Sequence, residues 1–199
     1  MTMLADCGGP AIPDDAPFAF RSDRLSLDFA ATRMFREPPQ RARELLPRPQ
    51  ALADWVRAAG LLDSPPSGVG AAVLADAIAV REAIYAAACA LLAGEPPDGA
   101  TIALLNAHAA GRPVTVALRP DGSLVRGGSL RQAVTSLARD AVELLGGEDA
   151  GRVRRCARTG CTRLFVDRTR GRTRVWCGMR ECGNRVNAAA YRRRRAGGA

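Results

Sequence analysis

Cys156-Ala157-Arg158-Thr159-Gly160-Cys161 and Cys177-Gly178-Met179-Arg180-Glu181-Cys182 decide how the end of this chain folds. Each hexapeptide closes on a cysteine at both ends, and fifteen residues separate the two. Two short knuckles of this kind bring four thiolates around one ion tetrahedrally. A site filled on all four sides by protein keeps no place for water or substrate, so it is structural and not catalytic. Four cysteines also hold iron-sulfur clusters, and burial of free thiols is the plainest alternative. One Zn2+ per chain is the expected occupant. The 49 residues from 151 to 199 hold few large apolar side chains, so metal binding must supply folding free energy that burial does not.

The residues around the cysteines predict a shape. Arg163–Val166 and Arg174–Trp176 read as two strands joined by a turn over 167–173, with Leu164, Val166 and Trp176 as a small apolar layer. Cys182 then falls in the first turn of a helix from Gly183 to Arg195, with Val186, Ala189 and Ala190 facing the metal. Knuckle, hairpin and ligand-bearing helix make a treble-clef-like finger.

Charge divides the chain at the same place. The whole carries +9, but residues 1–150 hold 14 Arg against 18 acidic residues, whereas residues 151–199 hold 15 Arg against Asp167 and Glu181 alone. There is no lysine. Four thiolates on a zinc ion contribute a formal charge of about −2, so the loaded finger keeps about +11. A basic appendage on a mildly acidic body is the pattern of a polyanion binder.

Ahead of the finger the sequence predicts an α+β domain of mixed helices with a β-hairpin. Leu25, Leu27 and Phe29 alternate with Ser26 and Asp28, which fits either a strand or the start of a helix. Helices are expected over 50–59, 72–93 and 101–110, the second closed by Gly94. Val114, Val116 and Leu118 before the Pro120-Asp121-Gly122 turn and Leu124 predict the hairpin. Ser129 with Gln132 is a capping box opening a helix whose buried face holds Leu130, Val134, Leu137, Ala141 and Leu144. The expected division is a leader over 1–17, the α+β domain over 18–146, a hinge over 147–151, the finger over 152–195 and a tail over 196–199.

No stretch approaches the ~20 apolar residues of a membrane span, and the acidic start does not read as a signal peptide, so a cytoplasmic protein without membrane contact is expected. There, structural disulfides are improbable, and Cys7 and Cys89 read as ordinary thiols. His108, the only histidine, reads as structural. Neither a phosphate-cradling glycine motif nor a nucleophile elbow is present, so binding rather than catalysis is expected.

At Cys182-Gly183-Asn184-Arg185 the sequence spells CGNR. With Leu164-Phe165-Val166-Asp167-Arg168, Arg174-Val175-Trp176-Cys177 and Tyr191-Arg192 it closely resembles the bacterial CGNR zinc-finger family. The front resembles the ABATE domain that precedes this finger, through Leu25-Ser26-Leu27-Asp28-Phe29 with Thr32, Leu52-Ala53-Asp54-Trp55 and Arg81-Glu82-Ala83-Ile84. That family commonly has Asn before the Thr, where this chain has Ala31. The resemblance implies a stress-induced transcriptional regulator in which the front domain senses or assembles and the finger contacts DNA. It implies Cys156, Cys161, Cys177 and Cys182 as zinc ligands and the helix arginines as DNA contacts.

The expected nucleic-acid residues are Arg168, Arg170, Arg172 and Arg174 in the turn region, with Arg185, Asn187, Arg192, Arg193, Arg194 and Arg195 on the helix. DNA is the first expected partner. RNA or the ribosome would suit the same basic surface, and an acidic protein is a third class. A homodimer would lengthen a short contact surface. Asp28, Thr32 and Arg81 are candidates for a small ligand pocket in the first domain, with the effector unassigned.

Overall fold

The computed structural model describes residues 18–196, except the side chains of Ala190, Arg193, Arg195 and Ala196. Cys7 and the 1–17 leader lie outside the described residues, as do residues 197–199. The fold is α+β. Helices α1 (Leu25–Ala30), α2 (Pro49–Ala58), α3 (Ala71–Ala93), α4 (Gly99–Ala109) and α5 (Leu130–Gly146) form the first domain. Three antiparallel two-stranded sheets accompany them: β1 (Arg33–Met34) with β2 (Arg43–Glu44), β3 (Thr115–Leu118) with β4 (Leu124–Gly127), and β5 (Val153–Arg155) with β6 (Leu164–Val166). A wide helical turn, Met179–Gly183, leads into α6 (Asn184–Ala196).

The alternation at Leu25–Phe29 belongs to a helix. Ser26, Leu27, Asp28, Phe29 and Ala30 are all buried, so the pattern does not mark one wet and one dry face of a sheet. The polar members are pinned instead: Ser26 N–H donates to Asp140 Oδ2 at 2.8 Å, and Asp28 Oδ1 accepts from the amides of Arg21 and Ser22 at 2.8 and 3.0 Å. Phe29 packs its ring 5.0 Å from Trp55 of α2. The central layer is α3, whose Ala77, Val80, Ile84, Ala87 and Ala88 are buried, and it ends at Gly94 with φ +77°. Only glycine takes that left-handed conformation at little cost.

Helix α4 starts at Gly99, two residues before the predicted start. Asp98 caps it by accepting from Thr101 N–H at 2.9 Å. The capping box of α5 is complete, with Gln132 N–H on Ser129 Oγ and Ser129 N–H on Gln132 Oε1.

The expected hinge over 147–151 is a folded turn. Ala150 N–H bonds Gly147 O at 3.1 Å, Arg152 N–H bonds Asp149 O at 2.9 Å, and Asp149 Oδ2 receives Arg168 at 2.7 Å. Immediately beyond it, β5 and β6 carry the first domain's core across the boundary. Val153, Leu164 and Val166 are buried in the same apolar cluster as Leu27, Trp55 and Leu137.

Candidate metal centre and basic surface

Strand β6 is three residues long and buried on both faces. Successive side chains of a strand point to opposite sides. Leu164 and Val166 therefore enter the first domain's core, and Phe165 enters a second cluster with Cys156, Cys177 and Cys182. This corrects the predicted apolar layer, in which Leu164 and Val166 joined Trp176. The predicted hairpin partner is also corrected. β6 pairs with β5, in the register Val153↔Val166, Arg154↔Phe165 and Arg155↔Leu164, and Arg174–Trp176 forms no strand. Two arginines in Val153-Arg154-Arg155-Cys156 concealed a strand with a single inward apolar residue.

The β5–β6 ladder ends at the first knuckle, where Cys156 N–H bonds Arg163 O at 3.0 Å. The chain turns at Gly160, φ +78°, and Cys161 N–H closes on Arg158 O at 2.9 Å. Ala157 N–H to Val175 O at 3.1 Å ties this knuckle to the second. Cys177 precedes the wide turn, and Cys182 sits within it, its N–H on Gly178 O at 3.1 Å. Gly183, the glycine of CGNR, has no room for a side chain: an added Cβ would lie 2.6 Å from Met179 Sδ and 3.0 Å from Trp176 Cδ1.

All four sulfurs lie within 4.8 Å of one another. The separations Cys161–Cys177, Cys161–Cys182 and Cys177–Cys182 are 3.9, 3.8 and 3.5 Å. A tetrahedron with Zn–S bonds of ~2.3 Å has edges of about 3.8 Å, so the donor set fits zinc. Four thiols so close cannot all ionise by themselves. Hydrogen bonds from the Cys161 and Cys177 thiols push Cys156 well below the usual thiol range, while bonding to Cys156 pushes Cys161 up to about 11 and Cys177 further up. A divalent cation removes that conflict by stabilising every thiolate. Beyond the ligands, Arg158 Nη1 stands 3.7 Å from Cys182 Sγ and offsets part of the thiolate charge.

The arginines of the finger divide into two groups. Arg174 is turned inward, over the Phe165 ring at 4.3 Å, with Nε on Trp176 O at 3.1 Å, Nη2 on Cys177 O at 2.8 Å and an ion pair with Asp23. It holds the finger together instead of facing a partner, which corrects its place among the expected nucleic-acid contacts. Arg168 is half-exposed and paired with Asp149. Arg170, Arg172, Arg185, Asn187, Arg192 and Arg194 are exposed. Asp167 organises the loop that carries Arg168 to Arg172. Its carboxylate is buried, accepts from Thr169 N–H at 2.9 Å and Arg174 N–H at 3.0 Å, and is held below the usual carboxylate range by the Thr169 hydroxyl.

Asp28, Thr32 and Arg81 do not form a pocket. Arg81, 1% exposed, spends its guanidinium on Glu44 (2.6 and 2.7 Å), Glu82 (2.9 Å) and Thr32 Oγ1 (3.3 Å). Asp28 looks the other way, to Arg163 of the finger at 3.2 Å. Desolvation by burial outweighs the amides of Arg21 and Ser22 and the charge of Arg163, which lower it, and pushes the Asp28 carboxyl up to about 6. Aspartate and arginine at such positions read as ligand groups in sequence, but here each is paired with another charged side chain, Asp28 with Arg163 and Arg81 with Glu44 and Glu82. His108 Nδ1 lies 3.0 Å from Leu104 O, one helical turn back, as expected of a structural histidine. The cavity found in this region lies elsewhere, between Ala31, Met34 and Phe35 of the first domain and Cys161, Cys177 and Cys182 of the finger.

The fold and the site define a zinc-finger protein: an α+β domain fused to a four-cysteine module. Residues 23–148 match the ABATE family, described as "Putative stress-induced transcription regulator", and residues 152–195 match the CGNR zinc finger. The chain belongs to the ABATE family and carries the CGNR finger behind that domain. No curated protein matches the chain. Among the described residues, no helix is long and apolar enough to cross a membrane.

Proposed function

We propose that the chain is a zinc-dependent DNA-binding transcriptional regulator of the cytoplasm, acting by binding and not by catalysis. Zinc, held by Cys156, Cys161, Cys177 and Cys182, folds the finger. Arg170, Arg172, Arg185, Arg192 and Arg194 neutralise phosphates, and the first domain senses a ligand or assembles the protein as a homodimer. The observation that carries this reading is the basic exterior of the finger beside a body in which acidic residues outnumber arginines.

Helix α6 supports it in shape as well as charge. Its 13 residues extend about 20 Å, and the major groove, ~12 Å wide, admits a helix. Arg185 and Arg192 share one stripe of the helix, while Asn187, Tyr191 and Arg194 share another. Asn187 offers an amide of the kind that pairs with adenine. Single-stranded RNA would want stacking platforms. Phe165 is fully buried and Trp176 half-buried, which leaves Tyr191 as the exposed aromatic of the finger.

The test is fluorescence anisotropy of the full zinc-loaded chain with a random-sequence duplex and with single-stranded RNA of equal length, across a salt series. Tighter duplex binding is expected, with log K falling steeply as log salt rises. Cys177→Ser should abolish binding together with zinc. Retained duplex binding in that variant, or preference for the RNA, would sink the proposal.

A further inference from the structure

We infer that Cys161, the most exposed of the four zinc ligands, is an oxidation site, and that its conversion to a disulfide with a neighbouring ligand releases the metal. The four sulfurs are not equivalent. Cys156, Cys177 and Cys182 are 4%, 4% and 2% exposed, whereas Cys161 is half-buried. Cys161, Cys177 and Cys182 line the cavity at the seam, and Cys156 does not.

The cavity has room for a small oxidant. Its volume is about 90 Å³, enough for a few molecules on the scale of water, since one water needs only ~10–15 Å³ measured in this way. Its far wall is Ala31, Met34 and Phe35, with Arg33 and Arg158 at the edge. Hydrogen peroxide fits that space. The guanidiniums of Arg158 and Arg33 also favour departure of an anion from the reacting oxygen.

A zinc-bound thiolate is already ionised and remains a nucleophile. Cys161 Sγ attacks one peroxide oxygen; the S–O bond forms, the O–O bond breaks and hydroxide leaves. The Cys177 or Cys182 thiolate, 3.9 or 3.8 Å away, then attacks the sulfenic sulfur, and a second hydroxide leaves as the S–S bond forms. Two thiolates lose two electrons and the peroxide takes both. The S–S bond of ~2.05 Å is far shorter than a tetrahedral edge, so the pair cannot continue to hold the ion, and Zn2+ departs. The same knuckles carry the contacts of the seam, Arg36 N–H on Thr162 Oγ1 at 3.2 Å and Arg21 with Glu181 at 2.6 Å. Metal loss is thereby transmitted to the first domain.

This inference rests on the zinc assignment and is independent of DNA binding. In the full chain, zinc per protein is counted first, by elemental mass spectrometry. Hydrogen peroxide is then added, zinc release is followed with a chromogenic chelator, and disulfides are mapped on peptides under non-reducing conditions. One zinc per chain should leave as Cys161 pairs with Cys177 or Cys182 while Cys156 stays open to alkylation. A chain without zinc overturns the metal assignment and this inference together. Zinc retained while Cys89 oxidises, or a first disulfide containing Cys156, overturns this inference alone.

Discussion

Arg163 Nη1 lies 3.2 Å from Asp28 Oδ1, with the aspartate buried at 5% exposure and the arginine largely covered at 11%. The pair joins α1 of the first domain to the residue that enters β6, and Arg163 also donates to Ala19 O at 2.8 Å. Desolvation is the larger influence on Asp28 and raises its carboxyl from 3.8 to about 6. The folded chain therefore binds this proton more tightly than the unfolded chain. By linkage, stability from Asp28 is greatest below about pH 4 and falls as pH rises towards 6, by up to about 3 kcal/mol. Carbon-detected NMR should place the Asp28 titration near pH 6. Asp28→Asn should remove that downward slope from the stability profile between pH 4 and 6, and an unchanged profile would show that the anion is fully compensated.

Much of the architecture was legible in the sequence because it rests on local signals. The Ser129–Gln132 capping box, Gly94 after α3 and the cysteine spacing each act within a few residues. What was not legible depended on long-range partners. Leu25–Phe29 left strand and helix open because Ser26 and Asp28 find their hydrogen bonds in Asp140 and in the amides of Arg21 and Ser22. The β5–β6 pairing was hidden by arginines at two of the three β5 positions, and Arg174 looked like a surface cation until Phe165 and Asp23 were brought beneath it. The expected ligand pocket failed for the same reason. Arg81, Glu44 and Glu82 are brought together only by folding.

Arg81→Met should destabilise the first domain and leave zinc content unchanged. The variant loses the bidentate contact to Glu44 and leaves Glu82 with Arg36 and Arg33 as its remaining partners. Breaking a buried pair costs ~3–5 kcal/mol, and the half-exposure of both glutamates reduces this to about 2–3 kcal/mol. Denaturant unfolding measures the loss, and equal stability would return Arg81 to the candidates for ligand binding.

Strand β6 permits a test of its two faces with adjacent residues. Leu164→Ala should cost about 2–5 kcal/mol in the first domain's core with the metal retained, because Leu164 packs away from the sulfurs. Phe165→Ala removes the buried ring at the cysteine cluster and the platform under Arg174. It should speed zinc transfer to a competing chelator. Zinc transfer rate and thermal midpoint, read on both variants, should respond oppositely in size.

Arg174 and Arg192 separate the arginines that build the finger from those proposed to meet DNA. Arg174 is 22% exposed and bonded to Trp176 O, Cys177 O and Asp23, so Arg174→Gln should lower thermal stability and zinc retention. Where the variant remains folded, its salt dependence of duplex binding should match the parent, because no phosphate contact has been lost. Arg192 is exposed on α6. Arg192→Gln should leave stability within about 0.5 kcal/mol. It should reduce the slope of log K against log salt by about 0.9, the value for one phosphate contact on duplex DNA. A slope change in Arg174→Gln with none in Arg192→Gln would reverse the assignment of the two residues and move the DNA-facing side of the finger from α6 to the 167–173 loop.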